Sequence, residues 1–344
     1  MEKKIYCIIL VIFVALTQIT FAQNVSKVGT TAAKFLGIPV GARATAMGTA
    51  FVSIANDATA TFWNPGALNL IRKPEVHISH AEWFGGLSFD FGSIAYPLGI
   101  NGSFGTAAVS YTMLTMPEEL VTTVDDPDGE FSGKFDAGSY AIGISYSKSL
   151  TDRFAIGGTM KYIVERIYNS KATSFAIDLG TIYETPFKGV RLGVSISNFG
   201  PKMQMDGEDL IVQKDIDPTI AGNNESINAL LLTDSFDLPL LMRIGISWEM
   251  IKSDFNRLTF VVDAMHPNDN TESMSLGAEY SFLNELFFLR GGYKNLFLEN
   301  NEGRFTLGFG VSHMFGASDF KFDYAFSEFK HLQNVHLFSL GVTF

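Results

Sequence analysis

The last eleven residues, Asn334 to Phe344, alternate along the chain: Phe338, Leu340, Val342 and Phe344 fall on one face and Ser339, Gly341 and Thr343 on the other. A period of two, large apolar against small or polar, is a strand whose faces meet different surroundings. The same pattern recurs upstream. Tyr140, Ile142, Ile144 and Tyr146 oppose Ser139, Ala141, Gly143 and Ser145, and Phe305, Leu307, Phe309 and Val311 oppose Thr306, Gly308, Gly310 and Ser312. About fourteen such segments, each roughly ten residues, run from 75–84 to 334–344, which is the length at which a tilted strand crosses a bilayer. The expected fold is all-β: an antiparallel transmembrane β-barrel of about fourteen strands, with lipid outside and a polar lumen within.

Two further patterns favour a barrel over a soluble sandwich. The longest connections, 115–133 and 200–238, both follow odd-numbered strands, whereas those after even strands are short, such as Leu150-Thr151-Asp152 and Gly316-Ala317. Outer-membrane barrels place long loops outside and short turns in the periplasm. Near the end of every even strand stands an aromatic: Tyr96, Tyr146, Tyr183, Trp248, Tyr280, Phe315 and Phe344. That is one ring at one interface, where amphipathic rings settle. Two strands have irregular phase. In 87–98 the apolar face shifts between Phe91 and Ile94, which predicts a bulge near Gly92; Leu286 to Leu289, in 285–297, is apolar on both faces.

Residues 1–22 read as a signal peptide: Lys3 and Lys4, an apolar run from Ile5 to Leu16, then Thr20-Phe21-Ala22 before Gln23. The run is too short to span a bilayer as a helix. Cys7, the only cysteine, leaves with it, so neither a disulfide nor a Cys metal site is expected in the mature chain. The net charge of −11 argues against nucleic acid. Residues 23–74 lack strand periodicity and are rich in Ala, Gly and Thr; Asn64-Pro65 reads as a helix cap followed by proline at the first helical position. This segment is expected to fold into the lumen of the barrel, 75–344, as a plug; the alternative is a periplasmic extension.

The run Gly41 to Val52, then Asn56-Asp57-Ala58-Thr59-Ala60 and Trp63-Asn64-Pro65-Gly66-Ala67-Leu68, resembles the N-terminal signature of the PorV/PorQ family. Val262 to Asn270, Asp323 to Phe329 and Phe338 to Gly341 resemble further stretches of it. The family is similar to the FadL fatty-acid transporters, which usually carry Pro-Ala-Gly where this chain has Asn64-Pro65-Gly66-Ala67. The resemblance implies a fourteen-stranded outer-membrane barrel with a lumenal hatch, in which Asn56, Asp57, Trp63, Asn64 and Pro65 are the plug motif. It implies a part in type IX protein secretion in a Gram-negative bacterium. The partners would be outer-membrane lipid, the translocon, and secreted proteins bearing C-terminal β domains. FadL-like transport of small hydrophobic molecules is the alternative.

Candidate chemistry is sparse. Strand parity places Asp90, Lys161, Glu165, Asp178, Arg191, Arg243, Asp263, Glu279 and Asp323 inside. Arg43, the only arginine between the leader and Asn64, is expected to lock the plug to a lumenal carboxylate such as Asp178, Asp263 or Asp323; the alternative is that it faces water. His77 and His80 are an odd number apart and face opposite sides, and no nucleophile, base and orienting group assemble. The chain is therefore read as non-enzymatic, with no cofactor. Asp125 to Glu130 lacks the spacing of a calcium loop and reads as a solvated acidic turn. Loop 200–238 is apolar for an exposed loop, and Met203, Met205, Leu230, Leu231 and Phe236 are expected to bind a partner there; self-packing over the barrel mouth is the alternative. The terminal Phe344 is the candidate assembly signal.

Overall fold

The computed structural model describes residues 28–217, 219, 226–253, 255–298 and 301–344. The leader expected at 1–22, with Cys7 and the cleavage site before Gln23, lies outside them. Fourteen strands form the wall: β1 (Glu75–Glu82), β2 (Ser88–Pro97), β3 (Thr106–Thr115), β4 (Ala137–Thr151), β5 (Phe154–Ile167), β6 (Ser170–Glu184) and β7 (Val190–Phe199). They continue as β8 (Leu241–Lys252), β9 (Asn256–Pro267), β10 (Ser273–Phe282), β11 (Phe287–Leu296), β12 (Phe305–Phe315), β13 (Ser318–Ser327) and β14 (Val335–Thr343). Each pairs antiparallel with its neighbours in sequence, and β14 returns to β1, Val76 opposite Val342 and His80 opposite Phe338. Among the described residues the sheet closes on itself without a free edge, which pairs the wall strands on both sides.

The alternation governs which side chain faces out of the barrel. All seven ring aromatics, from Tyr96 to Phe344, are exposed on the outer face. Two segments depart from the sequence reading. β2 has no bulge at Gly92: its register with β1 and β3 is continuous, and Phe89 and Phe91 turn inward to the core. Asp90 consequently faces outward, not into the lumen, where its Oδ1 lies 2.7 Å from His80 Nδ1. In β11 the doubly apolar run resolves as Phe287 and Leu289 outside and Phe288 inside, beneath the Arg290 guanidinium 4.9 Å from its ring centroid.

The core lies between the wall and the N-terminal segment. Residues 33–71 sit inside the barrel as two short helices, α1 (Ala42–Ala46) and α2 (Ala60–Trp63), with 3-10 turns at Lys34–Gly37 and Pro65–Leu70. Asn64 caps the second turn by accepting from Gly66 N at 3.1 Å. Met47, Phe51, Trp63 and Leu68 are fully buried, and Trp63 meets Phe51 and Phe62 edge-on. The plug touches the wall backbone to backbone. A Cβ built on Gly292 would stand 2.0 Å from Gly48 N, and one on Gly157 2.3 Å from Pro65 O. Inward glycines that the alternation assigns simply to a polar lumen are there because the plug leaves no space for a side chain.

Candidate functional site

A plug with so little regular structure must find partners for its amides and carbonyls elsewhere. The inward polar residues of the wall supply them. Asp263 Oδ2 accepts from Phe51 N (2.7 Å) and Val52 N (2.9 Å), Glu75 from Ala58 N and Ser339 from Ala42 N. Thr306 Oγ1 takes Gly48 N and donates to Ala46 O, while Ser93 and Ser147 donate to Ala58 O and Gly66 O. Asn64 Nδ2 ties Val52 O to Thr181 O.

Arg43 does not pair with Asp178, Asp263 or Asp323. It grips Glu279 of β10 with two bonds, Nε to Oε2 at 2.8 Å and Nη2 to Oε1 at 3.1 Å, and also reaches Asn56 (2.6 Å) and Asp57 (3.2 Å) within the plug. The three expected carboxylates are already committed. Asp263 holds plug amides, Asp178 takes Lys161 Nζ (2.8 Å) and Asn198 N (2.7 Å), and Asp323 takes Arg290 Nη1 (2.5 Å). Glu279 also accepts from Arg290 and Arg257, so a fork of arginines converges on one buried carboxylate. Burial opposes the charge on Arg43, but Glu279 and then Asp57 prevail and hold its proton more firmly than usual. Asp57 also caps Thr59 N at 3.0 Å, and Trp63 Nε1 donates to Val40 O at 3.1 Å, so the motif residues act within the plug as well as against the wall. Phe344 lies at the short-turn end with its ring exposed outside, its amide bonded to Pro74 O.

The plug enters from the long-loop end. Ala32 N donates to Asp237 O and Thr31 Oγ1 to Asp269 Oδ2, in the loops after β7 and β9, and Ala33 N to Glu165 at the top of β5. From there the chain descends to β1 at the opposite rim. The long loop after β7 is itself structured. Met203–Gln204 pair with Ser235–Phe236, and Ile211–Lys214 pair with Ile227–Leu230 in a hairpin. Asp206–Gly207 add to the top of β6, and Asp209 binds Asn169. The five residues read as a partner surface divide. Leu230, Leu231 and Phe236 are exposed, joined by Ile211, Ile216 and Leu232, the last at 89%. Met203 is buried and Met205 packs against the same cluster, with Phe35, Leu36 and Leu238. Those two methionines seat the loop on the plug and are not part of its open face. The acidic turn 125–130 closes on itself, Asp126 accepting from the amides of Glu130, Phe131 and Ser132.

Between the plug and the outer loops lies a cavity of about 560 Å³. Its floor is Thr49 and Trp63, and Phe35, Ile38, Leu241, Met265, Trp83 and Phe329 contribute apolar wall. Three basic side chains line it: Lys34, which pairs with Asp269 at the same cavity, and Arg243 and Lys294. Arg243 of β8 lies over Trp63, 5.1 Å from the ring centroid, and Lys294 of β11 over Phe329 at 4.0 Å. Lys294, Arg290 and Trp83 were not singled out by sequence; the alternation Arg290, Gly292, Lys294 within β11 was the available signal, hidden by the apolar run before it.

Three solved structures share this architecture at 12% identity, which shows the fold alone. The CymD monoaromatic hydrocarbon channel superposes with a TM-score of 0.56 over 89% of this chain and 97% of its own. The toluene transporter TodX of Pseudomonas putida gives 0.56 over 88% and 96%, and a FadL homologue of Pseudomonas aeruginosa 0.52 over 89% and 98%. No curated protein matches the chain. The family profile described as type IX secretion system protein PorV matches residues 21–231, more than half of the chain.

Proposed function

The chain belongs to the PorV family of type IX secretion proteins, and from that premise we propose that it docks exported proteins at the cell surface and hands them on, without catalysing a reaction. Fold and family are those of outer-membrane secretion and transport barrels, which supports a location in the outer membrane of a Gram-negative bacterium. In this reading the leader 1–22 directs export, and the long-loop end faces outward.

The observation that carries the proposal is the exposed apolar surface of the loop after β7, with Ile211 and Leu230 on the hairpin and Leu231, Leu232 and Phe236 following its base. Contiguous exposed apolar surface marks an interaction site. The hairpin can be removed without opening the loop, because Leu231 N already bonds Leu210 O across its base. Replacing 211–230 by a Gly-Ser turn and changing Leu231, Leu232 and Phe236 to Ser should leave a folded, heat-modifiable barrel that no longer co-purifies with the translocon and with secreted C-terminal β domains. Undiminished co-purification would overturn the reading.

The apolar cavity favours a second reading, passage of small hydrophobic molecules. That route requires the plug to leave its seat, against the contacts at Gly157, Gly292 and Asp263. Uptake of a hydrophobic probe that persists when the plug is cross-linked to the wall would exclude a route through the lumen.

A further inference from the structure

The protein is acidic overall, with 36 Asp and Glu against 25 Lys and Arg, and its buried basic side chains should not lack partners. Among the described residues, the buried lysines and arginines are Arg243, Arg290 and Lys294. Arg290 is neutralised by Glu279 and Asp323. Among the described residues, Arg243 and Lys294 make no ion pair. Arg243 Nε is buried without a hydrogen-bond acceptor, and Lys294 Nζ donates only to Ser327 Oγ, at 2.7 Å. Of the carboxylates acting on Arg243 from a distance, Asp263 gives Oδ2 to plug amides and has no hydrogen-bond partner at Oδ1, and Asp178 is held by Lys161. Both cations face the same cavity, open toward the long loops and floored by the plug.

A buried cation on an aromatic face, next to apolar walls, suits an anion carried on an apolar body. Two features choose among such ligands. There are two cations without partners, where a simple acyl acid brings one charge. The mouth also carries Asn270, Thr271, Ser273 and Asn295, which a methylene chain would leave unbonded and a peptide backbone would satisfy. We infer that the cavity receives the C-terminal end of an exported polypeptide: its terminal carboxylate goes to one cation, an acidic side chain or a second carboxylate oxygen to the other, and its last apolar side chains lie against Trp63, Met265 and Phe329. Carboxylate capture of this kind is a recurring mode of peptide recognition. The inference rests on the docking reading and gives it a second, deeper contact beside the hairpin.

The test uses the full chain in detergent and three probes: a fluorescein-labelled hexapeptide ending in two apolar residues with a free carboxylate, the same peptide as its C-terminal amide, and palmitate. The free acid should bind at least about tenfold more tightly than the amide, the worth of one charge-assisted contact. Lys294→Gln and Arg243→Gln should each remove most of that preference, and Arg243→Lys should restore part of it. If Arg243→Gln loses the heat-modifiable barrel band, Lys294→Gln carries the test. Equal affinity for acid and amide overturns the inference, and so does tight binding of palmitate with none of either peptide. The hairpin-deleted protein separates the two readings. It should still prefer the free-acid peptide while losing whole exported domains. If the peptide preference is absent yet capture depends on the hairpin, docking stands and the carboxylate site falls.

Discussion

The plug and the loop after β7 are both long segments without barrel periodicity, and they are held in opposite ways. The plug has almost no regular structure of its own, so its backbone is satisfied by side chains from strands all round the wall, and its closest approaches are to glycines. The loop satisfies its own backbone by pairing with itself, Ile211–Lys214 against Ile227–Leu230, and presents apolar side chains to solvent. A segment bonded to nine strands cannot move without breaking many contacts at once. A hairpin bonded to itself can change its surroundings and lose nothing. Under the proposed function, the contrast fits closure by the first and contact with partners by the second.

The strongest way to break the contrast is to deny the plug its seat. Gly292→Val drives a branched side chain into the plug at Gly48, where even a Cβ stands at 2.0 Å. The strain should exceed the roughly 1–3 kcal/mol usual for overpacking, because the obstacle is backbone. The expected outcome is loss of the heat-modifiable form, or a folded barrel whose single-channel conductance has risen from closed to open. A closed channel with unchanged melting would show that the plug is loosely held. Arg43→Ala should act in the same direction and less strongly. Glu279 keeps Arg290 and Arg257, so the loss should fall to about 2 kcal/mol, below the roughly 3–5 kcal/mol for orphaning a buried charge. Chemical denaturation followed by Trp63 fluorescence measures it, with conductance as the functional readout.

How much of this was legible in the sequence follows from the physics of each part. The wall was, because alternation is local and lipid enforces it strand by strand; even the irregular β11 obeys it once Phe288 is recognised as a lumenal residue under Arg290. β2 misled because Phe89 and Phe91 are large yet face inward, toward a plug that the strand's own sequence does not reveal. Parity placed Glu279 inside but could not say that it, among the lumenal carboxylates, would meet Arg43; that depends on where α1 comes to rest. Met203 looked like loop surface because composition cannot tell an apolar residue that anchors a loop from one the loop displays.

Acid should distinguish the two segments more gently. Burial works against ionising Asp57, yet Arg43 and then His77 hold its carboxyl below the ordinary 3.8. A group whose folded-state value is depressed stabilises fully above its unfolded value and loses that contribution as pH falls through the folded one. The contribution of Asp57 to plug closure should therefore be constant from about pH 8 to about pH 5 and weaken only below the ordinary carboxylate range. Conductance recorded across that span checks it; opening already near neutrality would mean that another group controls the plug.

The smallest effect on stability, and the sharpest on function, belongs to the exposed apolar residues of the loop after β7. Leu230 and Leu232 are 57% and 89% exposed, so Leu230→Ser and Leu232→Ser remove little buried surface and should shift stability by less than about 0.5 kcal/mol. If these side chains are anchors for a partner, each should weaken capture of a secreted C-terminal β domain by about tenfold, as loss of an interface hot spot does. Melting of the heat-modifiable band and affinity for an immobilised domain, measured on the same preparations, separate the two quantities. A fall in both would mean that the hairpin packs over the mouth as part of the fold. Unchanged affinity would move the docking surface elsewhere on the outer rim, and a fall in affinity alone is what a displayed, self-bonded segment requires.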